Sequence, residues 1–203
     1  MDSELEVYQS GESLYKEGEE RFGYVSSLFY SFFSRFISGY HKEIVKDLEG
    51  EGFKTLLDVG SGPGSLAVIL ARSHPGASIY CVDPSPSMVS IARKRIAREG
   101  LGNRVFVLQG SSRKIPFNIK FDVIISSFSY HHWKDRDSSL PYLAGHLKNG
   151  GLIAIYEFHT SRGPFSTSHG ISEEDWNGLE IEGFEKTVER KGGMISLKLR
   201  SRI

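Results

Sequence analysis

An aspartate and three glycines at alternate positions, Asp58, Gly60, Gly62 and Gly64, lie inside the segment LLDVGSGPGSLAVIL, residues 56–70. Glycines let a chain turn tightly and let a ligand lie against bare backbone. The helix that follows such a turn offers unpaired N–H groups to the same ligand. We therefore predict a ligand-binding turn here rather than a plain loop.

The spacing and a second acid indicate what the ligand contains. A dinucleotide fingerprint, G-x-G-x-x-G, would need glycine where Ser65 stands, and the Gly-Lys-Ser/Thr ending of a P-loop is absent. Asp83 ends the next apolar run, 19 residues past Gly64. A carboxylate there can accept hydrogen bonds from two ribose hydroxyls. The sequence predicts a ligand with an unphosphorylated ribose.

Two adjacent histidines, His131 and His132, follow a later apolar run in SSFSYHHWKD, residues 126–135. Histidine titrates near neutral pH, so either ring could act as a general base if an acceptor must lose a proton. The alternative is that the pair lines the pocket or anchors its loop. Trp133 is expected to form a wall of the site.

Three further polar groups, Tyr130, Glu157 and His159, lie at or just beyond strand ends on the same predicted edge. For each of them a structural hydrogen bond is the favoured role, and His159 ranks first among the three for proton transfer.

Alternating elements must hold these residues together. From residue 55 to residue 158, short apolar runs alternate with helical patterns, which is typical of a parallel sheet covered on both faces. Two strand-like runs, FEKTVER and MISLKLRSR, follow and are joined by KGG. They predict a β-hairpin that closes one edge of the sheet. The fold class is therefore α/β, doubly wound.

The stretch FGYVSSLFYSFFSRFISGY, residues 22–40, is the one segment that resembles a membrane span. Five serines and Arg35 interrupt it, so it falls short of the roughly 20 predominantly apolar residues that a span needs. Its aromatic residues instead recur at helical spacing, which predicts an amphipathic helix with a buried aromatic face. They are Phe29, Phe32, Phe33, Phe36 and Tyr40.

Composition sets the remaining limits. The 203 residues contain 25 basic and 25 acidic side chains, so no overall charge favours nucleic acid or an anionic membrane. The basic run RKRIAR, residues 93–98, is interpreted as a solvated helix face.

Cys81 is the only cysteine, which excludes a disulfide framework and a zinc site built on several thiolates. The acidic start does not resemble a signal peptide, so we expect a cytoplasmic protein and no metal.

Five segments in register resemble the motifs of class I S-adenosylmethionine-dependent methyltransferases. They are LLDVGSGPGSLA, YCVDPSPSMVSIARKR, GSSRKIPF, FDVIISSFSYHHW and LKNGGLIAIYEF. They cover roughly residues 50–160, and within the class they look closest to the small-molecule branch that includes the quinone-biosynthesis (UbiE-like) enzymes. The resemblance implies a Rossmann-like sheet of seven strands, mostly parallel with an antiparallel last strand, preceded by an N-terminal helical segment.

The resemblance also implies a cofactor, S-adenosylmethionine, and roles in binding it. The three glycines of the turn would lie under its methionine part, with Asp58 near the ammonium group and Asp83 on the ribose. Ser111 stands where the family often has an acid that bonds the adenine amino group.

Two more positions carry over from the resemblance. Ser112, with its neighbour Ser111, could offer a hydroxyl or backbone atoms to adenine. Met88 would pack against adenine or ribose, or alternatively only between helix and sheet.

The sequence thus predicts one methyltransferase domain over residues 1–203, acting on a small, apolar or aromatic acceptor. We divide it into a helical cap (1–50), a cofactor-binding core (51–160) and a C-terminal helix with a β-hairpin (161–203). In the family, N-terminal segments often cover the cofactor and form part of the acceptor pocket. Two other functions stay open: methylation of RNA or protein, and a non-catalytic partner or sensor that only binds the cofactor.

Overall fold

The computed structural model describes residues 27–133, 135–159 and 171–202, with side chains from residue 37 onward. The predicted aromatic face of the first helix, apart from Tyr40, therefore lies outside the described side chains. The helices are α1 (Ser27–Leu48), α2 (Ser65–Ser73), α3 (Pro86–Arg98), α4 (Arg136–Ala144) and α5 (Glu174–Asn177). The strands are β1 (Thr55–Val59), β2 (Ser78–Asp83), β3 (Val105–Gln109), β4 (Phe121–Ser127), β5 (Leu147–Phe158), β6 (Phe184–Lys191) and β7 (Met194–Ser201).

The seven strands form one sheet in the order β3-β2-β1-β4-β5-β7-β6. Strands β1 to β5 are mutually parallel, and β7 runs antiparallel to both β5 and β6. The mostly parallel sheet, the antiparallel last strand and the C-terminal hairpin are all confirmed. Because β1 and β4 are central neighbours whose connections leave in opposite directions, ligands are expected in the crevice above their carboxyl ends.

Two apolar layers flank the sheet. Leu56 and Ile79 face helices α1, α2 and α3, whereas Leu57 and Ile124 face α4 and α5. The central strands are apolar on both faces because both faces are covered. Among the described helices, none is both long and apolar enough to cross a bilayer.

Ion pairs fix α1 and the turn that follows it to strands β6 and β7. They join Glu43 to Lys191, Asp47 to Lys198 (2.8 Å) and Glu51 to Arg200 (2.6 Å). The Asp47 carboxylate also accepts a hydrogen bond from the Tyr156 hydroxyl, at 2.7 Å. Glu43 and Asp47 are four residues apart, so they lie on one face of the helix, whereas Glu51 follows three residues after its end. That face sets the direction of α1 across the sheet.

The sequence patterns predict a helix over residues 137–148, a strand over residues 151–158 and a short helix over residues 172–179, and each of these has one wrong boundary or more. Helix α4 ends at Ala144 rather than at residue 148, and β5 begins at Leu147 rather than at residue 151. A register shift between Phe121 and Val123, opposite this start of β5, lets the strand begin early, with Gly150 at a positive φ of 70°. Helix α5 covers Glu174–Asn177, fewer residues than the predicted 172–179.

Candidate active site

The glycine turn lies directly between β1 and α2. Gly60, Gly62 and Gly64 have φ values of 75°, 53° and 72°, in the left-handed region that favours glycine. The amides of Gly60 and Ser61 both donate to the Val82 carbonyl, at 2.8 and 3.1 Å. The turn that follows β1 is thus fixed to the end of β2. A ligand site that spans the ends of both strands requires this arrangement.

At two of these positions, Gly60 and Gly64, close packing also disfavours any larger residue. A Cβ on Gly60 would overlap the Ser129 hydroxyl and lie 2.6 Å from its Cβ, and a Cβ on Gly64 would lie 3.2 Å from the Ala92 Cβ. Ser129 also donates to the Val59 carbonyl at 3.0 Å. The small residues therefore bring the loop after β4 and helix α3 against the turn, whatever ligand binds there.

Asp83, at the end of β2, holds the turn from the other side. Its Oδ2 accepts the Gly62 amide and its Oδ1 accepts the Ser85 amide, each at 2.9 Å. Burial raises the pKa of this carboxyl to about 6, although both amide bonds act to lower it. A carboxylate has about four acceptor positions, so two remain for hydroxyl groups of a ligand.

Asp58, in β1, has no such partners. It is fully buried, and neither carboxylate oxygen has a hydrogen-bond partner among the described residues. Burial, with a contribution from the nearby charge of Asp83, raises its pKa to about 7. A buried acid without a partner is costly, and a cationic group is the ligand chemistry that would compensate for it.

The three other predicted binding residues lie around the ends of β2 and β3. Ser111 exchanges backbone hydrogen bonds with Lys114, at 3.0 Å each, and its hydroxyl accepts the Arg113 amide at 3.3 Å. The Ser112 hydroxyl lies 3.0 Å from that of Ser139, so it is tied to α4. Met88 is buried in the first turn of α3.

The histidine pair forms a short 3₁₀ turn, Tyr130–His132, after β4. His131 Nδ1 lies 2.9 Å from Glu157 Oε2, and the His131 amide donates to Glu157 Oε1 at 3.1 Å. Glu157, the next-to-last residue of β5, is fully buried. The His132 ring centroid lies 3.9 Å from that of His131. The structure therefore distinguishes the two histidines, because a buried carboxylate holds His131.

The remaining edge residues have packing or backbone contacts. Tyr130 is buried and lies edge-on to Trp133, with ring centroids 5.1 Å apart. Trp133 is half-buried. His159 is buried, and its amide donates to the Gly193 carbonyl at 2.9 Å.

An aromatic cluster that the sequence reasoning missed lies at the same edge. Phe128, immediately after β4, stacks on Phe158 with ring centroids 4.3 Å apart and an interplanar angle of 19°. Tyr40 of α1 meets both rings edge-on, at 5.7 and 5.4 Å. Phe128 has a φ of 53°, and it is the only non-glycine residue in the described ranges with a positive φ. Such strain is concentrated at ligand sites and switch regions.

The helix α1 thus reaches the functional edge of the sheet. It continues for 13 residues on the amino side of Tyr40, about 20 Å at the rise of an α-helix. Because Tyr40 already lies at the carboxyl ends of β4 and β5, the backbone of these 13 residues extends beyond the carboxyl edge of the sheet.

The strand order, the glycine turn and the acid at the end of β2 together define the class of nucleoside-cofactor-binding α/β proteins to which methyltransferases belong. A family model described as a methyltransferase domain matches residues 56–151. The chain is 32% identical over 145 residues to a demethylmenaquinone methyltransferase of Thermus thermophilus, covering 70% of this chain. It is 30% identical over 140 residues to a ubiquinone/menaquinone biosynthesis C-methyltransferase of Geotalea daltonii, covering 66% of this chain.

A solved structure agrees with these relatives. A methyltransferase from Aquifex aeolicus that depends on S-adenosylmethionine superposes with a TM-score of 0.67 at 25% identity, over 79% of this chain and 89% of that one. The chain is similar to the class I S-adenosylmethionine-dependent methyltransferases, in particular to their UbiE-like branch. It spans 60% of the length of each of the two curated relatives.

The residues present fit the cofactor of this family. The unpartnered Asp58 carboxylate suits an ammonium group, and Asp83 has acceptor positions left for ribose hydroxyls. Across the described ranges, no three His, Cys, Asp or Glu side chains are grouped so that they could hold a metal ion.

Proposed function

We propose that this chain transfers a methyl group from S-adenosylmethionine to a small aromatic acceptor that carries an ionisable hydroxyl. The proposal rests chiefly on one observation: the half-buried His131, paired with the buried Glu157, lies at the same sheet edge as the unpartnered acid and the glycine turn. Bound there, the cofactor supplies a methyl group on a positively charged sulfur, which makes the methyl carbon electrophilic.

The cofactor-binding roles follow the chemistry of each residue. Asp58 would pair with the ammonium group, Asp83 would accept the ribose hydroxyls, and the turn Gly60–Gly64 would lie under the methionine part. Ser111 would face the adenine, whereas Ser112 would hold that loop to α4, since its hydroxyl already has a partner there. Met88, buried in the first turn of α3, would pack against the nucleoside.

Of the two histidines, we assign the base to His131. Glu157 holds its Nδ1, so Nε2 is the nitrogen that would take the acceptor proton. The carboxylate then stabilises the imidazolium that results. His132 lies beside His131, with its ring tilted by 47° to that of His131, and is assigned to the pocket wall.

The acceptor class follows from the aromatic cluster and from the relatives. Phe128 and Tyr40 are half-buried, and both pack on the buried Phe158, so they present aromatic surface beside the histidine turn. Aromatic rings pack with offset or edge-on geometry that favours a planar ring as the guest. One curated relative is named a demethylmenaquinone methyltransferase and the other a ubiquinone/menaquinone biosynthesis C-methyltransferase, which supports a quinone-like acceptor for this chain.

Nucleic acid is not part of the proposal. In the basic run of α3, Arg93 donates to the Val107 carbonyl at 3.0 Å and Arg95 donates to Ser65. These two cations serve the fold rather than forming a stripe for phosphates. We place the protein in the cytoplasm, where its single buried thiol, Cys81, stays reduced.

A pair of matched variants tests the assignment. We expect His131→Gln to lower kcat by on the order of 10²–10⁴ on hydroquinone, catechol or phenol acceptors, because general-base catalysis is lost. His132→Gln should mainly raise the acceptor KM. S-adenosylhomocysteine affinity, measured by calorimetry, should stay near wild type in both. Equal effects of the two variants on kcat would contradict the assignment to His131.

A further inference from the structure

The backbone of His131 is held at both ends by charged side chains of opposite sign. Its amide donates to Glu157 Oε1 at 3.1 Å, and its carbonyl accepts Nη2 of Arg136 at 3.1 Å. Glu157 belongs to β5 and Arg136 is the first residue of α4. The histidine is thus fixed between two elements that the fold brings together from different layers.

Arg136 makes more than one contact to the turn. Its Nε donates to the Tyr130 carbonyl at 3.3 Å, and its guanidinium carbon lies 4.7 Å from the Tyr130 ring centroid. The Tyr130 carbonyl also closes the turn by accepting the Trp133 amide at 2.9 Å. A guanidinium can hold two neighbouring carbonyls in a fixed fork, whereas a lysine ammonium cannot reproduce this geometry.

We propose that Arg136 is a positioning residue of the reaction, which orients the His131 imidazole against Glu157 by holding the carbonyls of residues 130 and 131. The role rests on the proposed function of His131 as base. The backbone conformation of a three-residue turn decides where its side chains point, and a displacement of about 1 Å can cost on the order of 10² in rate. Arg136 does not itself need to touch the acceptor.

The test compares Arg136→Lys with Arg98→Lys, whose side chain is 74% exposed on α3. We expect Arg136→Lys to lower kcat about 10- to 100-fold, with the acceptor KM and the S-adenosylhomocysteine affinity near wild type. Arg98→Lys should change none of these quantities.

Two further measurements separate positioning from general support of the fold. In nuclear magnetic resonance spectra, the His131 Nδ1–H proton, protected by Glu157, should be visible in wild type and lost or broadened in Arg136→Lys. In a His131→Gln background, Arg136→Lys should lower kcat no further, since the residue it positions is gone. Arg136→Gln serves as the second variant, with folding checked by circular dichroism.

The outcomes are distinct. An unchanged Nδ1–H signal with an unchanged kcat, or a full additional loss in the His131→Gln background, would overturn the positioning role. If no acceptor is methylated by the wild type, the proposed function fails, but the resonance experiment still decides whether Arg136 orients the ring.

Discussion

Binding of the cofactor should be linked to loss of a proton from Asp58. In the ligand-free protein this carboxyl is fully buried without a hydrogen-bond partner among the described residues, and its pKa is raised to about 7. A cationic ammonium group binds the ionised form. Because the pKa is raised, the ionised fraction grows as the pH rises from 6 to 8, so affinity should increase over that window.

The size of the effect follows from the ionised fractions. With a pKa of about 7, roughly one tenth of Asp58 is ionised at pH 6 and roughly nine tenths at pH 8, so the apparent Kd should fall about tenfold. Asp83 has a pKa of about 6, so by the same relation its ionisation lowers the apparent Kd by a further factor of about two. We therefore expect affinity for S-adenosylhomocysteine to rise about 20-fold from pH 6 to pH 8.

Calorimetry in two buffers of different ionisation enthalpy measures both the affinity and the protons released. At pH 6 the wild type should release about one proton from Asp58 on binding. Asp58→Asn should bind more weakly at pH 8 and keep only the small pH dependence due to Asp83. A wild-type affinity that is the same at pH 6 and pH 8, or a full pH dependence that persists in Asp58→Asn, would refute this linkage.

The same acid should limit the stability of the ligand-free protein. A raised carboxyl pKa means that the folded state binds more protons than the unfolded state between about pH 4 and pH 7, so this contribution to stability is lost as the pH rises through that window. Asp58→Asn should therefore raise the thermal midpoint at pH 8 relative to wild type while it weakens cofactor binding.

Two further substitutions test the turn. Gly60→Ala should lower the free energy of unfolding by about 2–4 kcal/mol, because its Cβ would meet Ser129. Gly52→Ala is the control, since Gly52 has a φ of 59° but open space around it. In urea titration its free energy of unfolding should fall by only about 1–2 kcal/mol. An equal loss in both would show that the Ser129 contact is unimportant. Asp83→Asn should weaken S-adenosylhomocysteine binding by about 1.5–3 kcal/mol, because both oxygens accept N–H groups and an amide would turn a donor toward one of them. Unchanged affinity by calorimetry would contradict this.

The strands, the hairpin and the glycine turn could be predicted from sequence because their signals are local. The apolar run SIYCVD coincides with β2, Ser78–Asp83, and the turn residues of KGG join β6 to β7. The order of the strands needed the family resemblance, because a local pattern does not say that β7 lies between β5 and β6.

Contacts between distant segments could not be predicted in the same way. His131 and Glu157 are 26 positions apart, and each is an ordinary end-of-strand residue in the sequence. The lone charge in the apolar run GLIAIYEF was the available signal that Glu157 has a buried partner. Arg136 and Phe128 gave no such signal, since their roles depend on a backbone turn and on the path of α1.

Titration of S-adenosylhomocysteine into the wild type and into Gly62→Val, followed by calorimetry, tests the cofactor site most directly. Gly62 has a φ of 53° and donates its amide to Asp83, so a branched side chain there strains the backbone and fills space beside the acid. We predict one bound molecule per wild-type chain and no binding to a Gly62→Val protein with a native far-UV circular dichroism spectrum. Absence of binding to the folded wild type, or undiminished binding to the folded variant, would contradict the proposed site.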